Sequence, residues 1–234
     1  AGAEKMATVW FEALKKVLAS SETVFSPEIV RYKTLEDGDS LALHIFKPRN
    51  MQAGEKRPAI VYFFGGGWKL GSPIQFYREC AYYASKGMIA VSVDYRIGYL
   101  HHSTPFESFE DAKDAICWLR SHASDYQLDP DKIAVAGGSA GGHQAAALGT
   151  IGSDETVPAG YRPNLSVLYY PVIDMVSRGY GFPEIKRDFE KISPIHHVSE
   201  ATPSTLILLG TKDPIVSVET IEAYQDKLLQ KGVD

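Results

Sequence analysis

Short apolar runs alternate with amphipathic segments along most of the chain. From residue 58 onward, runs typical of strands buried on both faces are followed by segments whose apolar residues recur every three or four positions. The strand-like runs are residues 58–64, 88–93, 133–136, 165–170 and 205–209. The helix-like segments are residues 75–86, 105–123, 140–148 and 217–231. This alternation predicts an α/β fold with a mostly parallel, twisted sheet and helices on both of its faces.

The N-terminal part follows a different pattern. Residues 30–35 and 41–47 are predicted strands around a polar turn at residues 36–39, which indicates a hairpin. Residues 7–20 are a predicted amphipathic helix. Of the 234 residues, 44% are hydrophobic and 23% are charged, as is usual for globular proteins. We therefore expect one α/β domain over residues 1–234, with its core from about residue 28.

Charge and composition narrow the partners. The net charge of −5 and the lack of a basic block argue against nucleic acid. No apolar run reaches the ~18–20 residues of a membrane helix, so no membrane span is expected. Cys80 and Cys117 lie in predicted helices without metal-site spacing, and we expect buried free thiols. No metal or cofactor is predicted. The sequence leaves the oligomeric state open. It also leaves the compartment open, since the chain does not begin with Met and any signal peptide is out of view.

The most informative motif is G-x-S-x-G, formed by Gly137, Ser139 and Gly141 between a predicted strand and a predicted helix. On such a turn, glycines remove the Cβ atoms that would clash, and the serine hydroxyl stands above the sheet edge. The alternative is a serine that only caps the helix. A phosphate-binding loop fits less well, because it needs Lys-Ser or Lys-Thr after the last glycine. We predict that Ser139 is a nucleophile.

Two other loops follow predicted strands and would meet at the same sheet edge. Gly66 and Gly67 leave their N–H groups uncovered and, with the N–H of Ala140, would form an oxyanion hole. The alternative is a flexible loop. Asp213 follows the last predicted strand and would orient a catalytic imidazole. Its alternative is an ordinary turn or cap aspartate.

The imidazole itself is hard to place. The order serine, acid, histidine requires a histidine after Asp213, and the last histidine is His197. The seven histidines are His44, His101, His102, His122, His143, His196 and His197. We expect structural roles for His44 and His122, and local packing for His143. The pairs at 101–102 and 196–197 are weaker candidates than a histidine beyond residue 234, in a loop between a further strand and helix of a longer chain.

Four motifs together resemble the α/β-hydrolase fold from about residue 28 onward. They are residues 64–68 (FGGGW), 94–96 (DYR), 137–142 (GGSAGG) and 210–213 (GTKD). Within this fold the chain is similar to esterases related to hormone-sensitive lipase, and more so to small acetylxylan and feruloyl esterase-like proteins. The resemblance implies Ser139 as nucleophile, Asp213 as triad acid, and Gly66, Gly67 and Ala140 as oxyanion donors. Phe64 stands where the lipase-type motif usually has histidine. The short N-terminal region implies a fairly open site.

These observations lead to a functional expectation. We expect a carboxylic ester hydrolase that forms an acyl-enzyme and needs no cofactor, acting on short acyl (acetyl) or feruloyl esters, with a small-molecule or carbohydrate alcohol. Substrate contacts are assigned to Trp68, Tyr95, Tyr170 and His143. Tyr99 and Phe182 are further aromatic residues near the expected mouth. The alternatives are a serine peptidase of the prolyl-oligopeptidase type, which would need another large domain, and a non-catalytic hydrolase-fold binding protein.

Overall fold

A seven-stranded sheet organises the part of the chain that the computed structural model describes, residues 26–151, 159–175 and 188–234. The strands are β1 (Glu28–Thr34), β2 (Ser40–Phe46), β3 (Arg57–Phe63), β4 (Ile89–Val93), β5 (Leu128–Gly138), β6 (Leu165–Tyr169) and β7 (Thr205–Leu208). Their order across the sheet is β1-β2-β4-β3-β5-β6-β7. In this order, the strands from β4 through β3, β5 and β6 to β7 pair parallel with their neighbours. Strand β2 pairs antiparallel with both β1 and β4. The predicted helix at 7–20 lies outside the described residues.

Helices connect the parallel strands. They are α1 (Tyr77–Ser85), α2 (Gly98–His101), α3 (Pro105–Ser121), α4 (Ala140–Thr150), α5 (Phe189–Ile192) and α6 (Val218–Gln230). Short 3₁₀ turns occupy Pro73–Phe76, Ala159–Tyr161 and Pro194–His196. The predicted helix at 75–86 thus begins as a 3₁₀ turn. The single-turn helix α2 was not predicted, because one turn is too short for periodicity to show.

The central strands are buried as their continuous apolar runs predicted. All five residues of β4 are buried, as are the last five of β3. The predicted N-terminal hairpin is confirmed by the pairing of β1 with β2, closed by a turn in which Leu35 N–H donates to Asp39 O. β5 begins earlier than predicted, because Leu128 pairs with Arg57 before a shift in register leads to the main ladder.

Helix α4 lies at the centre of the molecule, and all its eleven residues are buried. Small side chains allow this position. A Cβ atom on Gly141 would lie 2.0 Å from the carbonyl oxygen of Phe63, and one on Gly142 would lie 2.9 Å from Pro171. The helix therefore packs its backbone directly against the ends of β3 and β6, which fixes the turn that precedes it.

Two further predictions concern the surface. Cys80 is buried and free as expected, but Cys117 is free and exposed, because its position on α3 faces away from the sheet-side residues Ile116 and Leu119. Strand β7 forms one edge of the described sheet and leaves Leu206 and Leu208 exposed. Among the described residues, none of the helices has the length and apolarity to cross a membrane.

Candidate active site

Ser139 lies on the sharp turn between β5 and α4. Its backbone has φ 54° and ψ −119°, a conformation that L-residues rarely adopt. A Cβ on Gly137 would lie 2.3 Å from the carbonyl oxygen of Gly141, so the two flanking glycines are needed for the chain to fold back so tightly. The Ser139 side chain does not cap α4. The capping alternative is therefore wrong, and the hydroxyl is left for another role.

The strained turn is held by backbone hydrogen bonds. The N–H of Ser139 donates to the carbonyl of Tyr169 at 3.0 Å. The carbonyl of Ser139 accepts from the N–H of His143 at 2.9 Å and from that of Val172 at 3.3 Å. The end of β6 and the first turn of α4 thus hold the serine from both sides. Such over-determination allows an unfavourable conformation to persist.

Residues 65–70, called the glycine loop below, run beside this turn. A Cβ on Gly65 would lie 3.5 Å from Cβ of Ser139, and the Gly65 N–H donates to Oε1 of Gln75 at 2.6 Å. Gly66 and Gly67 have φ of 142° and 63°. In the described residues, none of the hydrogen bonds has the N–H of Gly66, Gly67 or Ala140 as its donor. These groups are the expected oxyanion donors, and they follow the neighbouring strands β3 and β5.

Aromatic side chains support the glycine loop from below. The Tyr95 hydroxyl donates to the carbonyl of Phe64 at 2.5 Å, and the two rings stack with centroids 4.1 Å apart. Trp68 packs edge-on against His143, with ring centroids 5.1 Å apart. Tyr95, Trp68 and His143 are all buried. Their burial argues against the assignment of these three residues as substrate contacts at an open mouth, because a buried ring has no free face to offer.

His143 packs locally, as expected. Its Nε2 lies 2.7 Å from the carbonyl of Ile192, and burial lowers its pKa to about 4. The ring is therefore neutral at physiological pH and donates from Nε2, since only a protonated nitrogen can bond to a carbonyl. Although His143 is four residues from Ser139, its imidazole is directed to Ile192 rather than to the serine hydroxyl.

Tyr170 is the aromatic residue that remains available beside Ser139. It follows β6, is 44% exposed, and its N–H donates to the carbonyl of Leu208 at 2.7 Å. Its hydroxyl oxygen lies 2.8 Å from the position that a Cβ of Gly138 would take. Tyr99 on α2 is also exposed, and Phe182 lies outside the described residues. Tyr170 therefore covers the backbone just before the nucleophile candidate and keeps an open ring face.

Asp213 lies beyond the end of β7. Its Oδ1 accepts from the N–H groups of Ile215 at 2.8 Å and Val216 at 2.9 Å, and these bonds lower the pKa of the carboxyl group. Strand β6 separates β7 from β5, which places the two loops about 10 Å apart at the sheet edge. Asp213 is thus ionised, oriented by its own loop, and on the same edge as Ser139.

The histidines of the described residues do not connect Asp213 to Ser139. Nε2 of His101 lies 3.8 Å from Asp39, and Nε2 of His196 lies 3.8 Å from Asp174. His197 contacts the carbonyl of Glu190 at 2.8 Å. His44 contacts the hydroxyl of Tyr77, and the ring of His122 stacks on Trp118. Within the described part of the chain, none of the hydrogen bonds joins an imidazole to Ser139 or Asp213.

An ion-paired cluster anchors the DYR motif, and sequence reasoning missed its acidic member. Asp111 on α3 is completely buried and accepts from Nε and Nη2 of Arg96, both at 2.8 Å, and from Nζ of Lys33 at 2.6 Å. The amphipathic pattern of α3 was the available signal, since Asp111 is a charged residue on its apolar side. Sequence reasoning also missed Gln75, whose Oε1 accepts a hydrogen bond from the N–H of Gly65. No group of three or more potential metal ligands occurs among the described residues.

Sequence comparisons find a family profile and esterase relatives that match this chain. The profile of the BD-FAE family matches residues 43–181. Esterase LipC of Mycobacterium tuberculosis is 28% identical over 82% of this chain and 53% of its own length, so the chain spans about half of such relatives. The acylamino-acid-releasing enzyme of Arabidopsis thaliana is 28% identical over 82% of this chain and 28% of its own.

Solved structures give the same result. Esterase 2 of Thermogutta terrifontis, in a form phosphoramylated by tabun, has a TM-score of 0.82 and 35% identity, covering 90% of this chain and 81% of that one. Other structures of that esterase are described as butyrate-bound and as phosphorylated by paraoxon. The expected α/β-hydrolase fold is confirmed by this similarity together with the mostly parallel sheet.

Proposed function

Because this chain belongs to the BD-FAE family, we propose that it hydrolyses carboxylic esters, with Ser139 as the nucleophile and an acyl-enzyme as intermediate. The observation that carries the proposal is the position of Ser139. Its backbone is strained on the strand–helix turn, and Gly65 lies beside its Cβ. This geometry presents a hydroxyl next to N–H groups without acceptors, as acyl transfer requires.

The proposed reaction uses residues from neighbouring strand ends. Oγ of Ser139 attacks the acyl carbon, and the carbonyl oxygen becomes an oxyanion that accepts from the N–H groups of Gly66, Gly67 and Ala140. An imidazole oriented by Asp213 takes the hydroxyl proton and gives it to the leaving alcohol. Water then repeats the attack and releases the acid. The proposal assigns no residue number to this imidazole, since none bonds to Asp213 in the described part of the chain.

For the substrate, we propose short acyl or feruloyl esters of carbohydrates. The similar Thermogutta esterase 2 has been solved with bound butyrate and bound propionate, which are short carboxylic acids. The exposed ring of Tyr170 beside Gly138 offers a surface on which a sugar or a feruloyl ring could stack. A panel of p-nitrophenyl acetate, butyrate and octanoate, with acetylated and feruloylated oligosaccharides, tests this order of preference.

The decisive experiment separates nucleophilic catalysis from mere binding. Wild-type protein and Ser139→Ala are incubated with p-nitrophenyl acetate, and both are treated with paraoxon before intact-mass analysis. We expect a loss of at least about a thousandfold in kcat/KM and no phosphoryl adduct in the variant. An adduct on Ser139→Ala, or equal rates from the two proteins, contradicts the proposal.

A second candidate is a non-catalytic binding protein of the same fold. It is favoured by the fact that no described imidazole bonds to Ser139 or Asp213. Binding of an acetylated oligosaccharide without turnover, together with no paraoxon adduct on the wild type, supports this candidate. A peptidase is the third, since one relative is an acylamino-acid-releasing enzyme. Faster release from N-acetylalanine p-nitroanilide than from p-nitrophenyl acetate would favour the peptidase.

A further inference from the structure

Helix α2 packs against the glycine loop and is hydrogen-bonded to it. The N–H of Gly98 donates to the carbonyl of Trp68 at 2.8 Å, and the N–H of Tyr99 donates to the carbonyl of Lys69 at 3.1 Å. Trp68 and Lys69 come directly after Gly67, so these bonds hold the part of the loop next to the expected oxyanion donors. A displacement of α2 therefore moves the carbonyls that fix the loop.

By itself α2 is a weak support. It has four residues, and such a short helix is not stable through its own hydrogen bonds. The residue before it, Ile97, has no side chain that can accept a hydrogen bond from the first turn. The residue after the helix, His102, has a φ of 51°, which prevents the helix from continuing. Something outside the helical backbone must therefore fix its start.

The imidazole of His101 supplies this contact. The N–H of Ile97 donates to Nδ1 of His101 at 3.0 Å, so the side chain folds back onto the N-terminus of its own helix. This is the same function that a glutamate performs in a capping box. An accepting Nδ1 is unprotonated, so the neutral ring carries its proton on Nε2. Nε2 lies 3.8 Å from Oδ2 of Asp39 in the hairpin turn.

Strand β4 also contributes to the surroundings of the ring. Asp94 comes directly after β4 and lies close enough to His101 for the two side chains to interact electrostatically. The imidazole is almost fully buried, with its side chain 8% exposed. It thus connects the turn of the hairpin, the end of β4 and the start of α2. The hydrogen bond to the start of α2 and the burial of the ring favour one orientation of the side chain.

We infer that His101 is a positioning residue for the oxyanion hole: it fixes α2, and α2 fixes the glycine loop through Gly98 and Tyr99. This role rests on the proposed function only for its effect on catalysis. His101 does not act as the base, since its Nδ1 is already occupied by Ile97 and its Nε2 faces Asp39. Its contribution is the acceptor atom Nδ1, which bonds to the N–H of Ile97 at the start of α2.

The experiment compares His101→Ala with His101→Asn in the full chain. Asparagine places its Oδ1 close to the position of Nδ1 and keeps an acceptor for Ile97, whereas alanine removes it. The control is His102→Asn, which changes the neighbouring exposed imidazole and tolerates the positive φ. The first readout is amide hydrogen exchange at Gly98 and Tyr99. The second is the separate measurement of kcat and KM with p-nitrophenyl acetate.

In His101→Ala we expect exchange at Gly98 and Tyr99 to rise about tenfold, and kcat to fall about fivefold to tenfold with KM nearly unchanged. His101→Asn and His102→Asn should stay within about twofold of the wild type in both measurements. Unchanged exchange in His101→Ala overturns the inference, as does a His101→Asn variant that behaves like His101→Ala. If the wild type has no esterase activity, the proposed function fails but the exchange result still decides this inference.

Discussion

The Tyr95 hydroxyl lies 2.5 Å from the carbonyl oxygen of Phe64, directly beneath the glycine loop. The bond connects the end of β4 to the residue that precedes the three glycines. Tyr95 and Phe64 are both fully buried, and their rings stack. In lipase-type motifs, a histidine commonly occupies the position of Phe64. Here the loop is anchored by its backbone carbonyl and by an aromatic stack instead.

Removal of this bond should affect the loop more than the fold. In Tyr95→Phe the Phe64 carbonyl loses its buried donor, and we expect the free energy of unfolding to fall by about 1 kcal/mol. The activation free energy for p-nitrophenyl acetate should rise by more than this amount, because the loop carries the proposed oxyanion donors. Urea unfolding and steady-state kinetics measure the two effects. Tyr99→Phe changes an exposed tyrosine of α2 and should leave both quantities unchanged.

The close approach of α4 to β3 predicts a severe effect at Gly141. A Cβ there would lie 2.0 Å from the carbonyl oxygen of Phe63 and 2.4 Å from that of Phe64, so backbone must move. We expect Gly141→Ala to lower the free energy of unfolding by at least about 3 kcal/mol. Gly210→Ala is the matched control, because nothing lies within 4 Å of its Cβ position. Similar unfolding midpoints for the two variants would contradict the packing of α4.

The buried carboxylate of Asp111 should be one of the most sensitive charged groups. In Asp111→Asn the guanidinium of Arg96 loses its bidentate partner in a mostly buried position, which typically costs about 3–5 kcal/mol. Asp114 also contacts Lys33, at 2.5 Å, but its side chain is 52% exposed. Asp114→Asn should therefore cost less than about 1 kcal/mol. Thermal and urea unfolding of the two variants measure the difference.

Asp94 predicts a pH dependence of stability. Burial raises the pKa of its carboxyl group from 3.8 to about 6. The unfolded chain releases this proton near pH 3.8 and the folded chain releases it near pH 6. Between these values the folded state binds more protons, so this group lowers the free energy of unfolding as pH rises, by about 3 kcal/mol in total.

Asparagine at this position stays neutral at every pH. The free energy of unfolding of Asp94→Asn should therefore not show this fall as the pH rises. Relative to the wild type, the variant should therefore gain stability between pH 4 and pH 7. Urea unfolding across this range, with Asp37→Asn as an exposed control from the hairpin turn, measures the gain. A difference between variant and wild type that stays constant with pH would contradict the raised pKa.

Much of the architecture could be predicted because hydrophobic periodicity reports burial directly. The continuous apolar runs of β3 and β4 placed two central strands to within a residue or two, and the G-x-S-x-G motif placed the turn at Ser139. The family motifs indicated the strand ends that carry the glycine loop and Asp213. These features depend on local sequence, which is why they can be read without coordinates.

The failures depended on tertiary contacts. Trp68 and Tyr95 were expected at the mouth, yet both are buried, Trp68 against His143 and Tyr95 against Phe64, because the side to which an aromatic ring turns depends on tertiary contacts. Cys117 was expected to be buried, but its place on α3 turned it to solvent. The supporting roles of Gln75, Asp111 and His101 come from hydrogen bonds between separate elements, and no local pattern records which element a side chain will meet.

At Ser139, the backbone conformation that presents the hydroxyl also lowers the stability of the folded state. A backbone in that region costs on the order of 1–3 kcal/mol for a residue with a side chain, and glycine largely avoids this cost. Ser139→Gly should therefore give a protein that melts at a higher temperature and has lost the hydroxyl. A screen that selects only for heat resistance would discard the very group on which the proposed chemistry depends.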